Sequence, residues 1–224
     1  MSSTALRPLK AGPLSDSVFQ TLRSLIFSGQ FPPGAPLREL HLARELNVSQ
    51  STVRQALIQL EQFGLVVRTP NIGTEVTRLS PQDIRERVEM RTLLEAHAIR
   101  QAAPHMNEDA FRALDARLEA LALAIERNDY FEEAQADLAF HRFIWQQSGN
   151  RTLYRTLDQI AVPLFAFVSI LRGTSRQHLA TVVASHAGIV QALRSGEARV
   201  IDEALHQHFD NAFAIADAAP HAGR

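Results

Sequence analysis

The sequence predicts a mainly α-helical fold in two parts, with one β-hairpin near the end of the first part. Apolar residues recur at three- and four-residue spacing through most of the 224 residues, which is the pattern of helices with one buried face. The segment Leu65–Leu79 instead alternates and is rich in β-branched residues, which favours strands. Ser80 and Pro81 then suit the start of a new helix, and no strand signal follows. We therefore place the two domains at residues 1–79 and 80–224.

The composition fits two small folded domains without a membrane span. Hydrophobic residues make up 46% of the chain, cysteine is absent and the formal net charge is −1. The sequence shows neither a long apolar run nor an apolar signal core, so we expect a cytoplasmic protein. The charge is uneven, with eight Lys and Arg against five Asp and Glu through Ser80, and 15 against 19 beyond it. A basic first domain on an acidic second domain is expected when only the first meets phosphate.

The segment Glu39–Phe63 predicts two short helices joined by a tight turn. Apolar residues share one face of each helix: Leu40, Ala43 and Leu46 on the first, and Val53, Ala56, Leu57 and Leu60 on the second. Asn47 between them suits the left-handed backbone of a sharp helix exit. Ser49 suits an N-cap, and Gly64 suits the end of the second helix.

By periodicity alone this segment fits an ordinary helical hairpin as well as a helix-turn-helix. The β-hairpin directly behind it favours the second interpretation, because three helices and a hairpin form a winged helix-turn-helix, which binds DNA. The third helix of this domain is the one predicted at Leu14–Ser28. The candidate DNA contacts are polar or lie at the hairpin turn: Arg38, Ser49, Gln50, Ser51, Thr52, Arg54, Asn71 and Gly73.

The runs PPGAPLREL, LARELNVSQSTVRQALIQLEQFGLV and NIGTEV resemble the winged-helix domain of the GntR family of transcriptional regulators. The group that the chain resembles is the FadR type, which carries an all-helical ligand-binding domain called FCD. Two residues depart from the family pattern, since Gln50 replaces a frequent Arg and Asn47 replaces a frequent Gly. The first change puts the usual bidentate contact to guanine in doubt, and neither change disturbs the predicted fold.

The second part predicts a bundle of about six helices. Helical spacing with short breaks marks six segments: Pro81–Ala103, Glu108–Arg127, Phe131–Gln147, Thr152–Arg172, Ser175–Arg194 and Glu197–Ala218. Short connections make neighbouring helices antiparallel, and we expect Pro163 to kink the fourth segment. FCD domains are bundles of six or seven helices, so the resemblance extends to the end of the chain.

Four polar residues interrupt the apolar faces of the bundle: Asp137, His141, His186 and His208. A carboxylate and neutral imidazoles are suitable ligands for Zn²⁺, Ni²⁺ or Mn²⁺, although Asp-x3-His by spacing alone is more typical of a surface pair. The resemblance implies a metal at these four positions, with Zn²⁺ the first choice. His206 is the alternative to His208, but it faces elsewhere on the helix.

Two arginines of the first bundle helix, Arg87 and Arg91, are candidates for holding an effector. Arg91 also lies four residues before Glu95, so an ordinary ion pair along the helix is the alternative interpretation. The resemblance implies that an arginine of this helix binds the carboxylate of a small organic acid, which a guanidinium can hold with two parallel hydrogen bonds. We prefer Arg91 for this role.

Together these patterns predict a ligand-responsive, DNA-binding transcriptional regulator, a homodimer on double-stranded operator DNA, and a repressor if it follows the commoner mode of the family. The alternative is a metal-dependent hydrolase or lyase that uses the Asp and His residues of the bundle. The sequence offers no general base beside that site, and a winged domain would then have no purpose. A metal-storage bundle would need more carboxylates.

Overall fold

The computed structural model describes residues 13–172 and 179–217, and this part of the chain is mainly helical. The winged domain consists of α1 (Pro13–Phe27), α2 (Glu39–Glu45), α3 (Gln50–Gln62), β1 (Val66–Thr69) and β2 (Gly73–Val76). The helical domain consists of α4 (Pro81–Ala102), α5 (Glu108–Glu126), α6 (Tyr130–Gln147), α7 (Arg151–Arg172), α8 (Leu179–Ser195) and α9 (Ala198–Asp217). The predicted fold class is therefore confirmed, while the predicted start of α8 at Ser175 and end of α9 at Ala218 lie outside the described residues.

Helix α3 forms as its sequence predicts. The Ser49 hydroxyl accepts a hydrogen bond from the backbone N–H of Thr52 at 3.1 Å, which satisfies one of the free donors of the first turn. The turn before it needs Asn47, whose φ of 52° lies in the left-handed region that Asn tolerates. The predicted apolar face of α3 is fully buried: Val53, Ala56, Leu57 and Leu60.

The prediction for the buried face of α2 was wrong at one residue. Leu40 is 54% exposed, whereas Leu42 and Ala43 are buried and Leu46 is partly buried against the same core. Helix α2 has only seven residues. Over so short a helix, Ala43 and Leu46 can share an apolar face either with Leu40 or with Leu42. Periodicity over two turns does not distinguish these faces, and packing against α3 decides between them.

The β-hairpin is confirmed, and a short extra segment adds to it. Strands β1 and β2 pair antiparallel with Val66 opposite Val76, and Asn71 in the connecting turn has φ 62°. The segment before α2 also pairs with β2, because the backbone N–H of Leu37 donates to the Thr74 carbonyl at 2.8 Å. The sequence predicted only an irregular turn there, and this pairing fixes the position of α2 relative to the hairpin.

The helical domain starts at a capping box, in which Ser80 and Asp83 each accept a hydrogen bond from the other's backbone N–H. Helix α4 packs against α6, α7 and α9, and α8 packs between α5 and α9. Helix α7 continues through Pro163 as one helix. Among the described residues, no helix combines the length and the apolar character that crossing a membrane requires.

The winged and helical domains share one apolar cluster. Residues of α1 and α3 such as Val18 and Leu57 belong to the same buried cluster as Trp145 and Phe165 of α6 and α7. At the end of α3, Gly64 has φ 68°, and a Cβ built on it would lie only 3.0 Å from Cγ of Pro163. Helix α7 therefore contacts the winged domain closely, and the boundary between residues 79 and 80 stays a prediction.

Candidate functional site

The residues predicted to contact DNA lie on the surface of the winged domain. Ser49, Gln50, Ser51 and Arg54 are exposed on the first two turns of α3, and Thr52 is half-buried beside the cap. Asn71 and Gly73 are exposed at the hairpin turn, and Arg38 is exposed immediately before α2. The structure therefore leaves these side chains and the hairpin turn accessible to a partner, in the arrangement of a winged helix-turn-helix.

A glutamate that the sequence analysis did not consider contacts two of these residues. Glu39 accepts a hydrogen bond from Nη2 of Arg54 at 2.8 Å and one from the side-chain amide of Gln50 at 2.9 Å. The hydrogen bond from Arg54 holds the pKa of Glu39 below its usual value. Glu39 is 11 and 15 residues from these partners, so no local pattern signals the contact.

In the helical domain, the structure brings together the three histidines predicted as metal ligands. One nitrogen each of His141 on α6, His186 on α8 and His208 on α9 lies within 4.8 Å of the others, and all three residues are buried. Asp137 is one helical turn before His141 and is also buried. Its Oδ1 lies 2.9 Å from Nε2 of His186 and 3.4 Å from Nε2 of His141.

Each histidine makes a hydrogen bond away from this cluster through Nδ1. For His186 the acceptor is the Val182 carbonyl at 2.7 Å, and for His141 it is Oε2 of Glu95 at 2.8 Å. Ser185 donates its own hydroxyl proton to the Val182 carbonyl, so its Oγ can accept from Nδ1 of His208 at 3.2 Å. These bonds put a proton on Nδ1 of each ring, so Nε2 is the nitrogen that each imidazole offers to a metal when it is neutral.

One buried nitrogen of the cluster lacks a hydrogen-bond partner in the described part of the chain. Nδ1 of His186 already donates to the Val182 carbonyl, so the 2.9 Å hydrogen bond between its Nε2 and Oδ1 of Asp137 needs a second proton on the same ring. Nε2 of His141 is buried without a hydrogen-bond partner among the described residues. An unpaired polar atom in an apolar interior is costly, and a cation bound to Nε2 of His141 would remove that cost. The donor set therefore fits a divalent metal ion.

The charge states of Asp137 and His208 suit metal binding. Burial lowers the pKa of His141, but Glu95 and Asp137 outweigh burial and raise it, so His141 would release a proton on binding a metal. Burial raises the pKa of Asp137, but His186 and His141 outweigh this effect and hold the pKa well below its usual value. Burial, together with the neighbouring histidines, lowers the pKa of His208 well below its usual value. An ionised carboxylate and a neutral imidazole are the forms that coordinate a metal.

Arg91 and Glu95 extend the cluster towards α4. Oε1 of Glu95 accepts from Nε of Arg91 at 2.6 Å, so one carboxylate contacts both this arginine and the ligand candidate His141. Burial raises the pKa of Glu95, but Arg91 and His141 outweigh burial and lower this pKa to about 2. The sequence analysis predicted the ion pair, but it missed the second contact of Glu95.

The guanidinium of Arg91 retains binding capacity beyond this ion pair. It lies 4.8 Å from the ring centre of Phe165 and 4.9 Å from that of Phe209. Its Nη2 is buried and has no hydrogen-bond partner in the described part of the chain. A buried donor without an acceptor is costly, so this atom suits an anionic ligand between the two rings.

Two residues considered with this group lie elsewhere. Nη1 of Arg87 is 3.5 Å from the Ile160 carbonyl on α7, a contact outside the histidine cluster. His206 is exposed and its Nδ1 donates to the Asp202 carbonyl of its own helix at 2.7 Å. The geometry therefore favours Arg91 over Arg87 and His208 over His206.

A winged helix-turn-helix joined to a helical bundle with a buried polar site defines a DNA-binding regulator with a ligand-binding domain. Residues 14–76 match the model of the gntR family of bacterial regulatory proteins, and residues 86–211 match the FCD domain. The chain therefore belongs to the GntR family of transcriptional regulators and carries an FCD domain.

Similar proteins are regulators as well. A "Probable D-xylose utilization operon transcriptional repressor" of Paenarthrobacter nicotinovorans is 31% identical over 82% of this chain and 80% of its own length. The "HTH-type transcriptional repressor RspR" of Escherichia coli K12 is 27% identical over 92% and 89%. The family and these relatives are transcriptional regulators, not enzymes, so the predicted hydrolase or lyase alternative is set aside.

Solved structures share the fold over nearly the whole chain. Escherichia coli McbR/YncC has a TM-score of 0.78 at 22% identity, covering 92% of this chain and 98% of its own. A GntR regulator from Rhodococcus sp. RHA1 has a TM-score of 0.76 at 22% identity, covering 92% and 99%. At this identity the likeness shows the shared fold and nothing finer.

Proposed function

We propose that this protein is a dimeric repressor whose DNA binding depends on a divalent metal and a small carboxylate effector. The observation that carries the proposal is the group of three buried histidines that each offer one nitrogen within 4.8 Å of the others, beside the buried carboxylate of Asp137. A metal ion there would satisfy the buried Nε2 of His141, which has no hydrogen-bond partner among the described residues, and would stabilise the fold.

Zn²⁺ is the metal that we propose, with Ni²⁺ and Mn²⁺ as alternatives. Three imidazoles and a carboxylate suit all three ions, and Zn²⁺ with three or four such ligands is the commonest arrangement. The ligands would be Asp137, His141, His186 and His208. The ion would supply a positive charge and an open coordination position for an anionic ligand.

The effector would be a small carboxylate that the buried guanidinium of Arg91 binds. Nη2 of Arg91 is a buried donor without an acceptor, and a carboxylate can accept two parallel hydrogen bonds from a guanidinium. Phe165 and Phe209, which flank Arg91, would form the apolar walls. The role predicted for Arg87 stays a prediction.

The winged domain would bind a two-fold operator through two copies of α3. One recognition helix reads too few base pairs for useful specificity, so a homodimer is expected. The relatives named as repressors support repression rather than activation.

The experiment measures metal content and DNA binding on the same preparations. Protein purified without chelator should contain about one divalent ion per chain by elemental analysis. His186→Ala should lose the ion, melt at a lower temperature and no longer respond to carboxylates in an operator-binding assay. The matched control is His206→Ala, because that histidine is exposed and two residues from a proposed ligand.

Two outcomes would contradict the proposed metal site, and a third concerns DNA binding. Wild-type protein that stays free of metal when Zn²⁺ is supplied would remove the metal site. Equal effects of His186→Ala and His206→Ala on metal content would mean that the buried cluster is not the site. Failure to bind DNA from upstream of its own gene, with and without metal, would weaken the repressor proposal.

A further inference from the structure

The carboxylate of Glu95 on α4 contacts both proposed parts of the buried site at once. Its Oε2 accepts a hydrogen bond from Nδ1 of His141 at 2.8 Å, and its Oε1 accepts one from Nε of Arg91 at 2.6 Å. The side chain of Glu95 is only 1% exposed, so water does not compete for these oxygens. One carboxylate therefore joins a proposed metal ligand to the arginine that is proposed to bind the effector.

The packing of α4 holds this arrangement in place. Arg91 and Glu95 are four residues apart, which brings both side chains onto the same buried face of α4. His141 reaches Glu95 from α6, and α4 packs directly against α6. A shift of the guanidinium or of the imidazole ring must therefore move the carboxylate between them or break one of the two hydrogen bonds.

The contact with His141 acts on the nitrogen that would bind a metal. An imidazole that donates Nδ1–H to a carboxylate is fixed in its ring orientation, and its Nε2 becomes a stronger base. In His141 this Nε2 is buried and has no hydrogen-bond partner among the described residues. Nδ1 of His186 and Nδ1 of His208 instead contact a carbonyl and a hydroxyl, which are neutral. Of the three histidines, His141 is thus the one whose Nδ1 is held by an anion.

The contact with Arg91 leaves part of the guanidinium available to a second anion. Its Nε is paired with Glu95, whereas its Nη2 is buried without a partner in the part of the chain that the structure describes. An anion at Nη2 would share the positive charge of Arg91 with Glu95. The attraction between Arg91 and Glu95 would then weaken, and the carboxylate would interact more strongly with His141.

We propose that Glu95 is a positioning residue that couples the two sites, so that an anion at Arg91 and a metal ion at the histidines each strengthen the binding of the other. The inference rests on the proposed function, which requires both ligands, and it names the residue that makes them interdependent. A positive charge on Nε2 of His141 would draw Glu95 towards that ring and leave Arg91 more attractive to an anion. Thermodynamic linkage makes the two effects equal in size.

The Zn²⁺ affinity, measured by competition with a chromophoric chelator, tests the contact with His141. Glu95→Gln removes the charge at nearly unchanged size. It should weaken Zn²⁺ binding about ten- to hundredfold, as the loss of an outer partner of a metal-binding histidine typically does. Glu126→Gln is the matched control, because Glu126 is exposed on α5, and its Zn²⁺ affinity should equal that of the wild type.

A second measurement separates this role from a role in folding alone. Glu95→Gln should shift the visible absorption spectrum of the Co²⁺-loaded protein, because the strength of His141 as a ligand changes. A residue that only held α4 against α6 would lower the melting temperature without shifting this spectrum. Should Glu95→Gln fail to fold, Glu95→Asp takes its place. Its carboxylate still neutralises Arg91 but is one methylene too short to keep both contacts, so it should weaken Zn²⁺ binding as well.

Acetate serves as the anion that probes the coupling. In the wild type, acetate should tighten Zn²⁺ binding by about fivefold or more relative to sodium chloride at the same ionic strength. The measurement is corrected for the binding of acetate to free Zn²⁺. Acetate that touched the ion directly would tighten binding equally in wild type and Glu95→Gln. The difference between the two proteins therefore measures the contribution of Glu95, and the effect should be smaller in the variant.

The outcomes distinguish this inference from the proposed function. A wild-type protein that binds no Zn²⁺ would remove the metal site and the coupling together. A wild-type protein that binds Zn²⁺, with folded Glu95→Gln and Glu95→Asp proteins of the same affinity, would overturn the role of Glu95 alone. Equal effects of acetate on the wild type and on Glu95→Gln would overturn the coupling through this residue and leave the metal site standing.

Discussion

Glu39 on α2 accepts hydrogen bonds from Nε of Arg54 on α3 at 3.1 Å and from its Nη2 at 2.8 Å. The side chain of Glu39 is 19% exposed and that of Arg54 is 52% exposed, so the contact lies at the surface that is predicted to meet DNA. A carboxylate at this position limits the orientations of Arg54. It would also repel phosphate, so we expect Glu39 to affect both the specificity and the strength of DNA binding.

The first prediction concerns Glu39→Ala. Removing the carboxylate should raise affinity for non-operator DNA and steepen the salt dependence of binding, because one repulsive charge is lost and Arg54 is freed to meet phosphate. The protein should also discriminate less between bases at the positions that Gln50 and Arg54 are predicted to contact. Fluorescence anisotropy with operator and scrambled duplexes at several salt concentrations measures both effects.

Arg54→Ala provides the comparison, with operator affinity expected to fall about ten- to hundredfold. If Glu39→Ala instead weakened binding to all sequences equally, Glu39 would serve only to hold α2 against α3.

The second prediction concerns Glu95→Gln. The change leaves the guanidinium of Arg91 buried without a countercharge, and removing one partner of a buried pair typically costs about 3–5 kcal/mol. Urea denaturation of metal-free protein measures the loss. Glu126→Gln on an exposed helix position should change stability by less than about 0.5 kcal/mol. A Glu95→Gln protein as stable as the wild type would show that the buried pair is not needed for folding.

The third prediction is a pH dependence that Glu95 produces. Its pKa in the folded protein is about 2, below the ordinary value of 4.5, so the folded state favours the ionised form. The resulting stability is fully present above pH 4.5 and is lost as pH falls from 4.5 towards 2. The stability difference between metal-free wild type and Glu95→Gln should therefore shrink over this range. A difference that stays constant would contradict the assigned pKa.

The fourth prediction concerns Gly64→Ala at the end of α3. Gly64 has φ 68° and a built Cβ would lie 3.0 Å from Cγ of Pro163, whereas Gly149 has φ 69° and nothing within 4 Å. Gly149→Ala should cost about 1 kcal/mol for the left-handed backbone alone. Gly64→Ala should cost more by thermal denaturation, because the two domains must also separate slightly. Equal losses would mean that the domains do not touch closely there.

Local patterns predicted the parts of the fold that depend on neighbouring residues. The Ser49 cap, the left-handed Asn47 and the apolar face of α3 follow from a few residues each, and all are observed. The face of α2 was mistaken at Leu40, because two turns of helix allow two faces and only packing chooses between them.

The site was predictable where residue type and spacing carry the information. His141, His186 and His208 were named from the sequence with the help of the resemblance, and the structure brings them together. Glu95 contacts both Arg91 and His141. Because His141 is 46 residues away, a local sequence pattern does not predict this contact. The ion pair with Glu95 and the proposed effector contact of Arg91 are compatible, because Nε of Arg91 is paired with Glu95 while its Nη2 has no partner among the described residues.

Helix α7 contacts both the proposed effector site and the winged domain. The ring of Phe165 lies against the guanidinium of Arg91. Two residues earlier on α7, Pro163 lies against Gly64 at the end of α3, the helix proposed to contact bases. An effector that prefers one placement of α7 would shift the winged domain with it, and thermodynamic linkage makes such coupling reciprocal. Operator DNA would then change the affinity for the effector by the same factor by which the effector changes the affinity for DNA.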